Sequence, residues 1–213
     1  MEQRFFLFYD HIENYPIRDL EIFADAYCKS IRDDTRKKES LLARKLLDDA
    51  CRLHLGLDIF SAGFKKDEAG KPMLTNLPDW HISISHADGH VWAALSEAPF
   101  GIDFERICPE NSDDLEVAFH ADDWNQIFKD PLCVYHYFCL KEAYVKLLGC
   151  GFLKEPAEIR LQNMKNQQLS RIISNRFSDY WLVILFSGIV PENLESTFYS
   201  LKLYDFETRR QLS

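Results

Sequence analysis

The chain has 213 residues, of which 46% are hydrophobic and 14% aromatic, so it can bury a large core and is not typical of a disordered protein. Its formal net charge of −9 argues against a general nucleic-acid binder, because such proteins carry an excess of basic residues. Its apolar runs are too short for a secretory signal or a membrane span. Its six cysteines form no C-x-x-C motif, so we expect reduced thiols in a cytoplasmic protein.

The first half of the chain predicts a strand at residues 5–9 and a helical region at residues 20–55. The helical region divides into two pieces, and the second begins near Asp33 and ends at Gly56. Its apolar stripe is predicted to contain Leu41, Leu42, Leu46, Leu53 and Leu55. Its opposite side is predicted to be basic, with Arg32, Arg36, Lys37, Lys38, Arg44 and Lys45.

Residues 64–74 are predicted to form a loop that contains Gly70-Lys71. A Gly-Lys pair suggests phosphate binding, but the spacing does not fit a P-loop, and a plain turn explains it as well. Residues 80–96 are predicted to form a hairpin whose turn contains Asp88-Gly89. Ser85 and His86 are neighbours on its first strand and therefore point to opposite faces, which argues against a nucleophile–base pair.

Residues 100–106 alternate strictly between apolar and other side chains, as in a half-buried strand. Phe100, Ile102 and Phe104 occupy one face, and Gly101, Asp103 and Glu105 occupy the other. Two carboxylates this close repel each other unless a positive group lies between them. Mg²⁺ binds carboxylate oxygens and retains water and phosphate ligands, so the pair is a candidate metal site, with a solvated edge strand as the alternative.

The second half of the chain repeats the order of strand, helix and hairpin. A helix is predicted at residues 132–148, where Glu142 and Lys146 lie four residues apart on one face and Gly149 ends the helix. Strands are predicted at residues 169–177, 180–186 and 197–203. We therefore predict an α+β fold with two halves, residues 1–98 and 99–213, and a site at their interface.

Four motifs in order and spacing resemble the 4′-phosphopantetheinyl transferases of the monomeric, surfactin-synthetase-activator type. They are Gly70-Lys71-Pro72, Ile84-Ser85-His86, the G-I-D-x-E run at residues 101–105, and the K-E-A-x-x-K-x-x-G-x-G run at residues 141–151. The resemblance extends from about residue 32 to about residue 159. It implies a pseudo-twofold α+β fold, a coenzyme A donor, Mg²⁺ and the serine of an apo acyl or peptidyl carrier protein as acceptor. The holo carrier and adenosine 3′,5′-bisphosphate would be the products of a cytoplasmic monomer that binds neither nucleic acid nor membrane.

The resemblance also implies roles for individual residues. Asp103, Glu105 and Glu142 would hold Mg²⁺, and Lys146, one turn beyond Glu142, would contact the diphosphate. Arg36, Lys71, Ser85, His86 and Lys141 would bind coenzyme A. The general base would be Asp123, which stands where the family commonly has glutamate, or Glu142.

Two other functions remain open at this point. A non-catalytic carrier-binding protein would retain the fold, and a metal-dependent phosphohydrolase would use the same three acids on another nucleotide. For docking of an acidic carrier, the sequence offers Lys146, Lys154, Phe152 and Leu153 as candidates.

Overall fold

The computed structural model describes residues 3–149, 156–160, 164, 169–188, 191, 204–205 and 210–211. The α-helices of this described part are α1 (Ile17–Leu20), α2 (Ala26–Ser30), α3 (Asp34–Leu55), α4 (Ala121–Ile127) and α5 (Pro131–Leu148). Its strands are β1 (Phe5–His11), β2 (Phe64–Lys66), β3 (Pro72–Leu74), β4 (His81–Ala87), β5 (His90–Ser96), β6 (Phe100–Arg106), β7 (Leu169–Phe177), β8 (Tyr180–Ser187), β9 (Tyr204–Asp205) and β10 (Arg210–Gln211). The predicted strand at 197–203 and the docking candidates at 152–154 lie outside the described residues.

Two antiparallel three-stranded sheets form the centre of the described structure. The first has the strand order β1-β5-β4, and the second has the order β6-β8-β7. Val91 and Leu95 on β5 face α3, whereas Val183 and Leu185 on β8 face α5. The other two sheet faces pack against each other. The layers therefore run helix, sheet, sheet, helix, and the predicted α+β class is confirmed.

The apolar side of β6 lies between the two sheets. Phe100, Ile102 and Phe104 are at most 1% exposed, and they pack with Phe5 and Trp92 of the first sheet. Burying three large apolar side chains on one face is worth several kcal/mol, roughly 1.5–3 kcal/mol for each. The predicted alternation is confirmed, and it turns Asp103 and Glu105 away from this core.

Helix α3 begins at the predicted place, because the side chain of Asp33 accepts a hydrogen bond from the Arg36 backbone amide (2.7 Å). The predicted faces are wrong at two positions. Leu53 is 71% exposed, because the buried face at the end of the helix passes through Ala50, Cys51 and then His54, which stacks on Phe6. The second position is Arg44, on the opposite side of the helix.

Arg44, predicted on the basic face, is only 4% exposed. Its guanidinium pairs with Asp25 (2.9 Å), donates to the hydroxyl of Ser40 (2.7 Å) and lies over the Phe64 ring. An arginine can be buried where its charge is paired and its terminal NH₂ groups donate hydrogen bonds. The segment at 64–74 also differs from the prediction of a loop, since Phe64 pairs with Leu74 in a short hairpin of β2 and β3.

Strand β4 meets β6 through serine side chains. The hydroxyl of Ser83 accepts a hydrogen bond from the Ile102 amide (3.2 Å), and that of Ser85 accepts one from the Phe104 amide (3.0 Å). Because side chains on a strand alternate, the two serines share the face of β4 turned away from Ile82 and α3. We call this β4–β6 contact the seam, and the candidate site lies beside it.

No helix in the described part of the chain is long and apolar enough to cross a membrane. Five of the six cysteines fall within the described residues, and all five are free thiols, as the sequence predicts.

Candidate active site

Asp103 is the centre of the polar cluster beside the seam. The residue is 2% exposed, and its Oδ1 accepts hydrogen bonds from Ser85 Oγ (2.9 Å) and Lys146 Nζ (2.6 Å). Its Oδ2 is also buried but has no hydrogen-bond partner among the described residues. A buried carboxylate oxygen without a donor is costly, and a bound cation or water would satisfy it.

Gly101 lets helix α5 approach β6 closely enough to complete the cluster. A Cβ atom at residue 101 would lie 2.0 Å from the Ala143 carbonyl oxygen and 2.6 Å from the Leu147 amide nitrogen. Only glycine fits between the strand and the helix backbone at this point. The close packing brings Glu142 and Lys146, one turn apart on α5, over the carboxylate face of β6.

Three carboxyl groups, those of Asp103, Glu105 and Glu142, lie beside the seam with one ammonium group, that of Lys146. Burial and the adjacent Asp103 raise the pKa of Glu105 to about 8, with Lys146 opposing the shift. Burial and Asp103 likewise raise the pKa of Glu142. Burial alone would lower the pKa of Lys146, but Asp103, Glu142 and Glu105 outweigh it and hold the pKa above its usual value. The cluster would be stabilised by additional positive charge.

A cavity of about 680 Å³ opens over this cluster and extends towards α3 and the β2–β3 hairpin. Asp103, Glu105, Glu142 and Lys146 line one part of its wall. The other part is lined by cations and a histidine, namely Arg36, Arg44, Lys66, Lys71 and His86. A long ligand that carries phosphate groups and binds together with a metal ion would suit both parts of this wall, with the metal ion at the carboxylates and phosphates at the cations.

Lys71 connects the β2–β3 hairpin to the end of α5. Its Nζ donates a hydrogen bond to the Leu147 carbonyl oxygen (3.0 Å), one of the last carbonyls of the helix. Gly149 ends α5 with φ +68°, and a Cβ there would lie 2.7 Å from Lys71 Cδ. The glycine thus provides both the left-handed backbone and the space for the lysine.

His86 lies on the cavity wall and is held from behind by helix α3. Its Nδ1 is 3.0 Å from the carboxylate oxygen Oε2 of Glu39, whose Oε1 accepts a hydrogen bond from the Gly89 amide (2.8 Å). Burial opposes ionisation of Glu39, yet the bonds from His86 and Gly89 keep its pKa below the usual value. Glu39 is therefore an ionised carboxylate in a nearly buried position.

Two predicted site residues lie apart from the others. Lys141 is fully buried, donates from Nζ to the Ala118 carbonyl oxygen (2.7 Å) and lies over the Phe119 ring. Burial lowers its pKa to about 8, although the nearby Asp123 and Glu142 oppose the shift. Asp123, on α4, is 5% exposed. Neither Lys141 nor Asp123 is among the residues that line the cavity.

Sequence reasoning missed four residues of the cavity and its support. Tyr27, Arg44 and Lys66 line the wall, with the Lys66 ammonium 3.7 Å from the centre of the Tyr27 ring, and Glu39 holds His86. The sequence signals were basic character only: Arg44 belonged to the predicted basic face of α3, and Lys66 stands in the Lys65-Lys66 pair before Gly70-Lys71. Glu39 gave none, because it is a single acid among basic neighbours.

In the described part of the chain, no three His, Cys, Asp or Glu side chains lie close enough together to ligate one metal ion. The chemistry of Asp103, Glu105 and Glu142 nevertheless fits a hard divalent cation. Burial and the adjacent charge of Asp103 raise the pKa values of Glu105 and Glu142, and one buried Asp103 oxygen has no hydrogen-bond partner among the described residues.

The carboxylates and the lysine of this site lie in a segment that matches a known protein family. The sequence model of the 4′-phosphopantetheinyl transferase superfamily matches residues 99–192, a range that contains Asp103, Glu105, Glu142 and Lys146. The chain resembles the 4′-phosphopantetheinyl transferases. The resemblance noted from the G-I-D-x-E and K-E-A-x-x-K motifs is thereby confirmed.

Three curated 4′-phosphopantetheinyl transferases are similar to parts of this chain. The Bacillus pumilus protein psf-1 is 33% identical over 93 residues, which are 41% of this chain and 40% of psf-1. The Bacillus subtilis protein Sfp is 28% identical over 129 residues, 58% of each chain. The Aneurinibacillus migulanus protein gsp is 38% identical over 93 residues, 41% of this chain and 38% of gsp. The chain thus spans about half the length of the curated relatives it matches.

Proposed function

We propose that this protein is a 4′-phosphopantetheinyl transferase with holo-[acyl-carrier-protein] synthase activity. It transfers the 4′-phosphopantetheine arm of coenzyme A to a serine of an apo acyl or peptidyl carrier protein. The observation that carries the proposal is the single cavity whose wall combines three carboxylates and Lys146 with a separate set of cations. The names of the similar proteins support the same reaction class.

The reaction joins the carrier serine oxygen to the phosphorus atom of coenzyme A that bears the pantetheine arm. The bond between that phosphorus and the bridging oxygen of the diphosphate breaks, and the bridging oxygen leaves with adenosine 3′,5′-bisphosphate. The serine proton passes to a base. Catalysis of this kind depends on positioning and on positive groups that face the developing charge. Lys146 is suited to that role, because Asp103 holds its ammonium at the cavity wall.

Asp103, Glu105 and Glu142 would hold Mg²⁺ in this protein. Bound there, Mg²⁺ would neutralise charge on the diphosphate oxygens and orient them for attack. The unpartnered Oδ2 of Asp103 and the raised pKa values of Glu105 and Glu142 support this assignment. Ser85 contributes by fixing Asp103, since its hydroxyl donates to the carboxylate oxygen that also accepts from Lys146.

Glu142 is the favoured general base, acting directly or through a water. It lines the cavity, and its raised pKa makes it a stronger base than an ordinary glutamate. Asp123 is the weaker candidate, because it lies buried near Lys141 and outside the cavity wall. An Asp123→Asn variant with little loss of transfer and a Glu142→Gln variant with a large loss would support this order.

Coenzyme A would place its nucleotide along the cationic part of the wall. Arg36, Lys71 and His86 would bind its phosphates, with His86 and Arg36 at the 3′-phosphate. Lys141 stays a predicted contact by resemblance, although its ammonium is engaged with Ala118 and Phe119. The first half of the chain, residues 1–98, would thus supply most of the donor site, and the second half, residues 99–213, the metal site.

The remaining expectations concern partners and location. The acceptor is proposed to be an acidic carrier protein, and the enzyme a cytoplasmic monomer without nucleic-acid or membrane partners. A metal-dependent nucleotide phosphohydrolase and a non-catalytic carrier-binding protein are the competing functions. They differ from the proposal in whether the carrier gains mass and whether the donor is cleaved.

The deciding experiment is mass spectrometry of several apo carrier proteins incubated with this protein, coenzyme A and Mg²⁺. The proposal expects a phosphopantetheine mass gain on the carrier and an equal amount of adenosine 3′,5′-bisphosphate. Cleavage of coenzyme A without a carrier product would support the phosphohydrolase. Carrier binding without either product would support the non-catalytic function. The Asp103→Asn variant and added EDTA provide the matched controls for metal dependence.

A further inference from the structure

Glu39 is a buried acid on a helix face where basic residues predominate. Its side chain is 6% exposed, and both carboxylate oxygens are used. Oε1 accepts from the Gly89 amide at 2.8 Å, in the turn between β4 and β5, and Oε2 faces His86 Nδ1 at 3.0 Å. Burying a carboxylate requires compensation, and these two partners provide it.

The contact fixes the chemical form of His86. An ionised carboxylate can only accept hydrogen bonds, so the Nδ1 atom that faces Glu39 carries a proton. The other ring nitrogen, Nε2, points to the opposite side of the imidazole. If Nε2 is also protonated, the ring is a cation that can donate a charge-assisted hydrogen bond to an anion.

The surroundings of His86 suit an anionic ligand. His86 lines the cavity and its side chain is 36% exposed, whereas Glu39 lies behind it and is shielded from the cavity. Arg36, one turn before Glu39 on α3, also lines the cavity. An anion at this wall would meet a histidine and an arginine, with the carboxylate of Glu39 on the far side of the imidazole ring.

We propose that Glu39 is a positioning residue for the donor. It holds the His86 ring with a proton on Nδ1 and with Nε2 directed at the 3′-phosphate of coenzyme A, so that the ring bound to the phosphate carries both protons and donates from Nε2–H. This inference rests on the proposed function, because it takes coenzyme A as the ligand of the cavity. It adds a residue outside the cavity wall that determines how strongly the enzyme distinguishes coenzyme A from 3′-dephospho-coenzyme A.

The Glu39→Gln variant separates this role from a structural one. The Gly89 amide can only donate, so it takes the amide oxygen of the new glutamine. The glutamine NH₂ group then faces His86, and Nδ1 must become an acceptor. The only ring proton is then the one on Nε2, while the number of hydrogen bonds to residue 39 stays the same. The variant therefore offers the phosphate a neutral donor in place of a charged one without removing the support of the β4–β5 turn.

Asp48→Asn is the matched control on the same helix. Asp48 is also a buried carboxylate that accepts from a backbone amide, that of Ile59 (2.8 Å), and pairs with a cation, Arg52 (2.7 Å). It is not among the residues that line the cavity. A general effect of neutralising a buried acid on α3 would appear in both variants.

The experiment measures binding of coenzyme A and of 3′-dephospho-coenzyme A by calorimetry, without transfer. Replacing a charged by a neutral hydrogen-bond donor should weaken coenzyme A binding to Glu39→Gln about tenfold. Binding of 3′-dephospho-coenzyme A should change less than about twofold. Asp48→Asn should change neither, and Glu39→Gln should add no further loss in a His86→Ala background. Nitrogen-15 spectra of the free protein should show a protonated Nδ1 in wild-type His86 and an unprotonated Nδ1 in Glu39→Gln.

Each outcome bears on the inference. Equal losses on both donors in Glu39→Gln, or an unprotonated His86 Nδ1 in the wild type, would overturn it. The nitrogen-15 spectrum of the wild-type protein tests the inference even if the Glu39→Gln variant does not fold. A wild-type protein that binds neither donor would overturn the inference together with the proposed function. Donor discrimination with no transfer to any carrier would overturn the proposed function alone.

Discussion

Helices α3 and α5 occupy equivalent outer layers, yet they bring opposite charges to the strands they cover. Helix α5 directs the cation of Lys146 to the carboxylate of Asp103 on β6, at 2.6 Å. Helix α3 directs the carboxylate of Glu39 to the imidazole of His86 on β4, at 3.0 Å. Two helices in equivalent layers thus give the two ends of one cavity different chemical groups. The α5 end has three carboxyl groups suited to a metal, and the α3 end has basic groups suited to a phosphate.

The largest effect is expected from removing the carboxylate of Asp103 at the α5 end of the cavity. Asp103→Asn should reduce transfer about a thousandfold, or ~4 kcal/mol of activation free energy, since it removes a metal ligand and the partner of Lys146. Coenzyme A binding through the α3 end should fall much less. Steady-state transfer rates and calorimetry on the same samples check this, with a thermal melt to confirm folding. Turnover near the wild-type rate at saturating Mg²⁺ would contradict the metal assignment.

The second test concerns stability at the α5 end without Mg²⁺. Glu105 has its pKa raised from 4.5 to about 8 in the folded protein, so its contribution to stability is present below pH 4.5 and is lost as the pH rises towards 8. Glu105→Gln should remove this loss and raise the free energy of unfolding at pH 7 by up to about 3 kcal/mol. Denaturant titrations between pH 4 and pH 8 check it. A variant with the same pH dependence as the wild type would show that burial and the neighbouring Asp103 do not raise the pKa of Glu105.

The third test displaces helix α5 from strand β6 without changing a charged residue. Gly101→Ala places a methyl group where the Ala143 carbonyl oxygen is 2.0 Å away, so helix and strand must separate. Overpacking of this kind should cost roughly 1–3 kcal/mol of stability. It should also reduce transfer by displacing Glu142 and Lys146, while the α3 end keeps its Glu39–His86 contact. Thermal melts, transfer rates and the His86 nitrogen-15 spectrum together measure the effect. Full activity in Gly101→Ala would mean that the close approach is not needed.

The smallest expected effect is at the α3 end. Arg36 is exposed on the cavity wall, so solvent screens its charge. Arg36→Ala should raise the coenzyme A KM about fivefold and leave kcat nearly unchanged, because contacts remote from the reacting phosphorus act equally in the ground and transition states. The effect should be smaller with 3′-dephospho-coenzyme A. Equal losses of affinity for both donors would show that Arg36 does not bind the 3′-phosphate.

The sequence predicted the α5 end better than the α3 end, for a physical reason. Strand alternation identified the buried face of β6, and helical spacing placed Glu142 beside Lys146, because both are local periodicities. Glu39 and Arg44 escaped prediction, since their burial depends on His86 and Asp25, which lie 47 and 19 residues away in the chain. Gly101 was noted only as a neighbour of the acids, because its contact with α5 exists only after the helix has packed on the strand.

The seam between β4 and β6 has a consequence for solubility. Both are edge strands of their sheets, and an open edge can recruit a strand from another chain. Ser83 and Ser85 occupy the amides of Ile102 and Phe104 with hydroxyl groups, so these two donors on the edge of β6 are unavailable to a foreign strand. Ser85, which also holds Asp103 in place, thus acts together with Ser83 against edge-to-edge aggregation.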